Sequence, residues 1–108
     1  MDKENVAFDL EKFADENSEL FIRNLQINGS SVQIIKCCEE LSELNVELCK
    51  LFANTTQYID KNYLNLCTEI ADTIITLTQI MSVYNCFEGV ADEINYKLER
   101  LRKRLLDE

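Results

Sequence analysis

The chain has no proline, no histidine and only two glycines among its 108 residues. Because proline and glycine disfavour helix interiors, their scarcity, together with abundant Leu, Ile, Glu and Lys, predicts a nearly all-helical protein. The absence of histidine excludes Ser-His and Cys-His systems of nucleophilic catalysis. Basic residues are missing between Lys61 and Lys97. The centre of the chain is therefore acidic.

Paired cysteines and long apolar runs are also missing. The five cysteines are an odd number without a C-x-x-C pair, which indicates reduced thiols in a cytoplasmic protein and disfavours structural zinc. No run reaches the ~18 uninterrupted apolar residues of a membrane helix, and Met1–Asp9 lacks the apolar segment of a signal peptide. The net charge of −9 argues against nucleic acid or an anionic membrane as the main partner.

Hydrophobic periodicity predicts four helices in a single domain over residues 1–108. The first helix is expected from Asp9 to Gln26, and the fourth is expected to begin near Phe87. Turn and capping residues predict the other boundaries, namely Asn28-Gly29 after the first helix, a Ser30-x-x-Gln33 capping box before the second, Asn54-Thr55-Thr56 after it, Asp60 before the third and Asn85 after it. Four helices with short loops predict an all-α antiparallel bundle.

The second and third predicted helices each carry an apolar stripe at spacings of three and four residues. The stripes are Ile34, Cys38, Leu41, Leu44, Leu48 and Leu51, and Leu64, Cys67, Ile70, Ile74, Leu77 and Met81. The opposite face of the third helix is polar and has no Lys or Arg, although exposed helices normally mix both signs of charge. This face is therefore expected to line a ligand cavity or a second packing surface, the alternative being a solvated face.

Two acidic clusters lie in these helices, Glu39-Glu40-x-x-Glu43 and Glu69-x-x-Asp72. Residues three or four apart share a helix face, and like charges at that spacing destabilise an isolated helix. If the two helices face each other, these carboxylates converge, and a divalent cation would relieve their repulsion. Oxygen ligands suit Mg²⁺ or Mn²⁺, so the clusters predict a magnesium-dependent enzyme acting on phosphates.

The order of these motifs resembles that of the MazG-like nucleotide pyrophosphohydrolases. The all-α superfamily to which they belong includes the dimeric dUTPases and phosphoribosyl-ATP pyrophosphatases. The resemblance covers about residues 30–105 and rests on Gln33, Glu39-Glu40-x-x-Glu43, Glu69-x-x-Asp72 and Asn95-x-Lys97 on a basic last helix. One E-E-x-x-E motif is weak evidence, but two clusters separated by 25 residues, with the downstream Asn and Lys, are a more specific combination.

This resemblance implies Mg²⁺-dependent hydrolysis of a nucleoside triphosphate, a dNTP or an NTP, to the monophosphate and pyrophosphate, with Mn²⁺ as a possible substitute. The implied metal ligands are Glu40, Glu43, Glu69 and Asp72. Glu39 would orient or deprotonate the attacking water, or would be a solvated carboxylate. The implied substrate contacts are Gln33 to the base, Asn95 to sugar or phosphate, and Lys97 and Arg100 to phosphate. Members of the family often have a second acid where this chain has Thr68. Whether an additional metal binds is therefore left open.

The resemblance also implies a bundle core that is shared between the subunits of a homodimer or homotetramer. A chain of 108 residues cannot easily bury both faces of a central helix alone. Two other functions stay open. One is phosphoribosyl-ATP pyrophosphatase activity, which uses the same carboxylates. The other is a non-catalytic helical adaptor whose acidic face binds a basic partner.

Overall fold

A computed structural model describes residues 9–53 and 60–106, which form four α-helices. The helices are α1 (Leu10–Glu16), α2 (Ser18–Ala53), α3 (Asp60–Tyr84) and α4 (Phe87–Leu106). No strand occurs in these two ranges. The predicted all-α helical bundle is therefore confirmed. The Asn54-Thr55-Thr56 boundary lies outside the described residues.

The predicted first helix is interrupted at Asn17. Asp9 caps α1, since its side chain accepts a hydrogen bond from the Lys12 backbone N–H at 3.0 Å. At the other end, Asn17 Nδ2 donates to the Phe13 carbonyl oxygen at 2.8 Å. An asparagine side chain can thus compete with the helical hydrogen-bond ladder. The expectation of one helix from Asp9 to Gln26 was wrong at this residue.

The predicted break at Gly29 is a kink within α2. Gly29 has φ 81° and ψ 165°, a conformation that residues with a Cβ rarely adopt and that glycine tolerates. The capping box expected after it is replaced by a different contact. The Gln33 side-chain oxygen accepts a hydrogen bond from Asn24 Nδ2 at 3.0 Å, across the kink.

A buried amide network attaches the kinked part of α2 to α3. Asn24 Nδ2 also donates to Gln79 Oε1 at 3.3 Å, and Gln79 Nε2 donates to the Phe21 carbonyl oxygen at 2.9 Å. Gln33 and Gln79 are both buried, so these hydrogen bonds replace the water that their amides lose. The network fixes the direction in which α2 approaches the end of α3.

The end of α3 agrees with the prediction. Asn85 has φ 49°, the left-handed conformation that asparagine adopts more readily than most residues. The next residue, Cys86, donates its N–H to the Met81 carbonyl oxygen at 3.1 Å, which completes the turn. The helix α4 begins directly afterwards at Phe87.

The helices α2 and α3 run antiparallel and pack through their polar faces. Phe21 contacts Gln79 near one end, whereas Glu40 contacts Thr73 further along. The buried residues of this pair include Gln33, Cys37, Glu40 and Glu47 on α2 and Thr73, Thr78, Gln79 and Met81 on α3. The polar face of α3 is therefore a packing surface, one of the two alternatives expected for it.

Most of the apolar stripe residues of α2 and α3 point away from this contact. Six of them are between 40% and 46% exposed, namely Ile34, Leu41, Leu48, Ile70, Ile74 and Leu77. In the single chain, therefore, the stripes do not form the contact between α2 and α3. Periodicity identifies an apolar face, but it does not tell which face a neighbouring helix of the same chain covers.

The last helix lies apart from this pair. Its main contact is with α1, and every residue from Ala91 to Leu106 is exposed. Its apolar residues Ile94, Leu98 and Leu101 are therefore open to solvent in the single chain.

One stretch of α3, Asn62–Tyr84, is long and apolar enough to cross a membrane by length and composition, with a mean hydropathy of 1.2. The core helix of a soluble protein passes the same test. The stretch contains Glu69 and Asp72, which are costly in hydrocarbon.

Candidate metal centre

Three carboxylates meet where the polar faces of α2 and α3 pack together. Glu40 and Glu43 are one helical turn apart on α2, and Glu69 lies opposite them on α3. Each of the three offers an oxygen within 4.8 Å of the others. The spacing in each helix and the antiparallel packing thus bring together three of the five carboxylates that were expected to converge.

Two oxygens of this cluster are buried without a partner among the described residues, Glu40 Oε2 and Glu69 Oε2. The Glu40 side chain is only 6% exposed. A buried carboxylate oxygen needs a donor or a cation to offset the loss of water. An all-carboxylate set with unpartnered oxygens therefore fits a hard divalent cation such as Mg²⁺ or Mn²⁺.

The pKa of Glu69 also reflects the burial and the mutual repulsion of these carboxylates. Loss of solvent raises the pKa of Glu69 above its ordinary value, and interaction with Glu43, then Glu40 and Asp72, raises this pKa further. Asp72 is outside the group of three within 4.8 Å. It lies one turn further along α3, and its charge contributes to the raised pKa of Glu69. It is therefore placed as a fourth carboxylate beside the cluster.

Threonine hydroxyls let the polar face of α3 pack closely against α2. Thr73 Oγ1 donates to the Glu69 carbonyl oxygen at 2.7 Å and lies 3.5 Å from the Glu40 carbonyl oxygen. Thr76 Oγ1 likewise donates to the Asp72 carbonyl oxygen at 2.9 Å. Each of these two hydroxyls therefore has a hydrogen-bond partner on the backbone. The cluster is thus held by helices that are directly in contact.

Lys36 contacts the cluster from α2. Its Nζ is 3.1 Å from Glu40 Oε1 and 3.7 Å from Glu39 Oε2. The hydrogen bond to Glu40 is the largest cause of a raised Lys36 pKa. Glu39 itself is 58% exposed, so it lies at the solvent side of the cluster.

Sequence analysis missed Lys36 and Glu47. Lys36 precedes Glu40 by four residues, a spacing that places both on one helix face and could have identified it. Glu47 is buried, with Lys50 Nζ 3.4 Å from its Oε1, and its spacing of four from Glu43 puts it on the same face. It lies outside the group of three close carboxylates.

The other predicted site residues are elsewhere. Gln33 belongs to the buried amide network with Asn24 and Gln79. Asn95 lines a crevice of about 540 Å³ between the beginnings of α1 and α4. Lys97 and Arg100 lie on the exposed part of α4, where Arg100 is 5.8 Å from the centre of the Tyr96 ring. The structure thus brings the carboxylates together and leaves the predicted phosphate contacts on a helix that packs mainly on α1.

Comparisons with protein-family models, with curated proteins and with solved structures gave no match.

Proposed function

We propose that this protein is a Mg²⁺-dependent nucleoside triphosphate pyrophosphohydrolase that produces a nucleoside monophosphate and pyrophosphate. The observation that carries the proposal is the pair of buried, unpartnered oxygens, Glu40 Oε2 and Glu69 Oε2, within a cluster completed by Glu43. Carboxylate oxygens gathered for packing alone would be expected to have donors, because a buried acceptor without a partner is costly. A cation-binding role explains why these two oxygens lack them.

Glu40, Glu43 and Glu69 would hold the cation, with Asp72 as a fourth ligand. When bound, the cation supplies Lewis-acid polarisation of phosphate oxygens and lowers the pKa of water. The high density of negative charge also explains why a cation would be needed. Four carboxylates repel a triphosphate unless a cation lies between them. Such a site would therefore act on a phosphate substrate with a cation bound.

Residues at the rim of the cluster would act on substrate and water. Glu39 is exposed to solvent beside Glu40, a position suited to orienting or deprotonating the attacking water. On α4, Asn95 would bond the sugar or a phosphate, and Lys97 and Arg100 would neutralise phosphate charge. Gln33 is occupied by its bond to Asn24, which supports a structural role at the kink instead of contact with the base.

A homodimer or homotetramer belongs to this proposal. The exposed apolar stripes of α2 and α3 lie on the faces away from the polar contact, and a second copy of the chain would cover them. Lipid is a poorer cover, because Glu69 and Asp72 fall inside Asn62–Tyr84, the stretch of the described residues that is apolar enough to span a membrane. Assembly would also bring α4 of one chain within reach of other helices.

A substrate panel tests the proposed activity. Canonical and modified nucleoside triphosphates, together with phosphoribosyl-ATP, are incubated with the protein and Mg²⁺, and released pyrophosphate and orthophosphate are measured separately. We expect pyrophosphate without orthophosphate, abolished by a chelator. Preference for phosphoribosyl-ATP would select that related activity. No release from any member of the panel would contradict the proposal and favour a non-catalytic adaptor.

A further inference from the structure

The two oxygens of the Glu40 carboxylate have different surroundings. Oε1 is bound by Lys36 Nζ at 3.1 Å, whereas Oε2 is buried and has no partner among the described residues. One oxygen is therefore held by a fixed donor, and the other is left for a ligand.

Helix stability does not explain the contact with Lys36. In an i,i+4 pair the acid stabilises a helix better when it precedes the base, and here Lys36 precedes both Glu39 and Glu40. The Lys36 side chain is also 55% exposed, so its ammonium group remains in contact with solvent while it holds the buried Glu40 carboxylate. By contrast, Lys50 follows its buried partner Glu47 on the same helix, which is the favourable order.

We propose that Lys36 is a positioning residue of the metal centre. By holding Glu40 Oε1, it fixes the rotation of the carboxylate and leaves Oε2 available to a divalent cation. Its second contact, with Glu39 Oε2 at 3.7 Å, holds the neighbouring carboxylate on the solvent side. This inference rests on the proposed function, because it requires the metal site formed by Glu40, Glu43 and Glu69.

The consequence for metal binding is measurable. Groups that hydrogen-bond a metal-ligating side chain orient it, and removing them weakens metal affinity by roughly 10- to 100-fold. Removing the positive charge of Lys36 would have the opposite effect if the ammonium merely competed with the cation for Glu40. The direction of the change in affinity therefore distinguishes positioning from competition.

The experiment is a titration of the full-length protein with Mn²⁺ alone, in which electron paramagnetic resonance measures free Mn²⁺. Lys36→Met is compared with Lys36→Arg, which keeps the charge, and with Lys50→Met as the matched control. We expect Lys36→Met to bind Mn²⁺ at least about tenfold more weakly than the unaltered protein. Lys36→Arg should recover most of the affinity, and Lys50→Met should leave it unchanged. Circular dichroism checks that each variant keeps its helices.

Each result supports or overturns the inference. Unchanged or tighter Mn²⁺ binding by Lys36→Met overturns it while leaving the metal site intact, and so does an equal loss in Lys50→Met. A Lys36→Arg variant as weak as Lys36→Met also overturns it. If the unaltered protein binds no Mn²⁺, the metal site itself fails, and the proposed function fails with it.

Discussion

At the scale of single residues, packing of the two helices buries carboxylate oxygens that the described residues do not pair. The carboxylates of Glu40 and Glu69 are brought into a helix contact where each keeps an oxygen without a partner. The hydroxyl of Thr73, at the same contact, bonds to the backbone. The hydroxyl is thus paired within the fold, whereas one oxygen of each carboxylate has no partner among the described residues. This difference produces the first two predictions.

The first prediction concerns the four carboxylates. Changing Glu40, Glu43 or Glu69 to Gln, or Asp72 to Asn, should abolish pyrophosphate release and leave the helical content unchanged. Without metal, each variant should melt at the same temperature as the unaltered protein or higher, because repulsion falls. Mg²⁺ should raise the melting temperature of the unaltered protein by mass action and raise that of the variants much less.

Glu99→Gln is the control for these variants, because Glu99 forms an exposed ion pair with Arg102 on α4. It should keep both the activity and the response to Mg²⁺. An unaltered protein whose melting temperature does not respond to millimolar Mg²⁺ or Mn²⁺, with or without nucleotide, would count against a metal site.

The second prediction concerns pH. The pKa of Glu69 is raised in the folded chain by loss of solvent and by Glu43, Glu40 and Asp72. At pH values between the unfolded and folded pKa, the native state binds more protons than the unfolded state. The stabilisation is therefore complete below the unfolded pKa and is lost as pH rises through the folded pKa.

Metal-free protein should accordingly melt at a higher temperature at about pH 5 than at about pH 7. Glu69→Gln should reduce this difference, because a neutral amide cannot titrate. The measurement is a series of thermal unfolding curves in chelator. A pH dependence that is the same in the variant would show that Glu69 does not cause it.

At the scale of helices, the irregularities at Asn85 and Gly29 were predictable, whereas the break at Asn17 was not. The turn at Asn85 and the irregularity at Gly29 follow from the conformational preferences of asparagine and glycine, which belong to the residues themselves. The break at Asn17 was missed because one polar residue in an amphipathic pattern also fits an uninterrupted helix. Whether its side chain bonds to the Phe13 carbonyl oxygen depends on the helix geometry around it.

The third prediction concerns the kink at Gly29. Its φ of 81° strains any residue with a Cβ, so Gly29→Ala should destabilise the fold by about 1–2 kcal/mol. Gly89→Ala is the matched control, because Gly89 is inside α4 and a Cβ there meets no atom within 4 Å. That substitution should stabilise its helix by about 0.5–1 kcal/mol. Urea unfolding measures both, and equal effects would argue against strain at the kink.

The fourth prediction concerns the basic last helix. If Lys97 contacts the triphosphate, Lys97→Ala should lower kcat/KM by roughly 10- to 1000-fold, about 1.4–4 kcal/mol. Arg104→Ala should have little effect, because Arg104 is exposed near the end of α4, where a base interacts favourably with the helix dipole. Steady-state kinetics of pyrophosphate release provides the comparison. Equal losses would mean that another residue binds the phosphates, and Arg100 would be tested next.

At the scale of the whole molecule, the single chain brings most of the carboxylates together and leaves its apolar stripes uncovered. Five carboxylates were expected to converge if the two helices faced each other, and three of them, Glu40, Glu43 and Glu69, each offer an oxygen within 4.8 Å of the others. The stripe containing Ile74 and Leu77 was expected in a core shared between subunits, and both residues are 40% exposed in the single chain. The exposure of these apolar faces is what we expect if, as proposed, a second copy of the chain covers them. A contact between chains lies beyond what periodicity along one chain encodes.

The fifth prediction is that the protein is a dimer or tetramer in solution. Static light scattering at micromolar concentration should give at least twice the chain mass of 12.6 kDa. Ile74→Glu or Leu77→Glu should dissociate or unfold it, because a charge would be buried in the shared core. Leu106→Glu is the control, since Leu106 is 75% exposed at the end of α4 and should not affect assembly. A well-folded monomer would contradict this prediction and weaken the proposed function. Recovery of the protein only in detergent would favour lipid as the cover of α3.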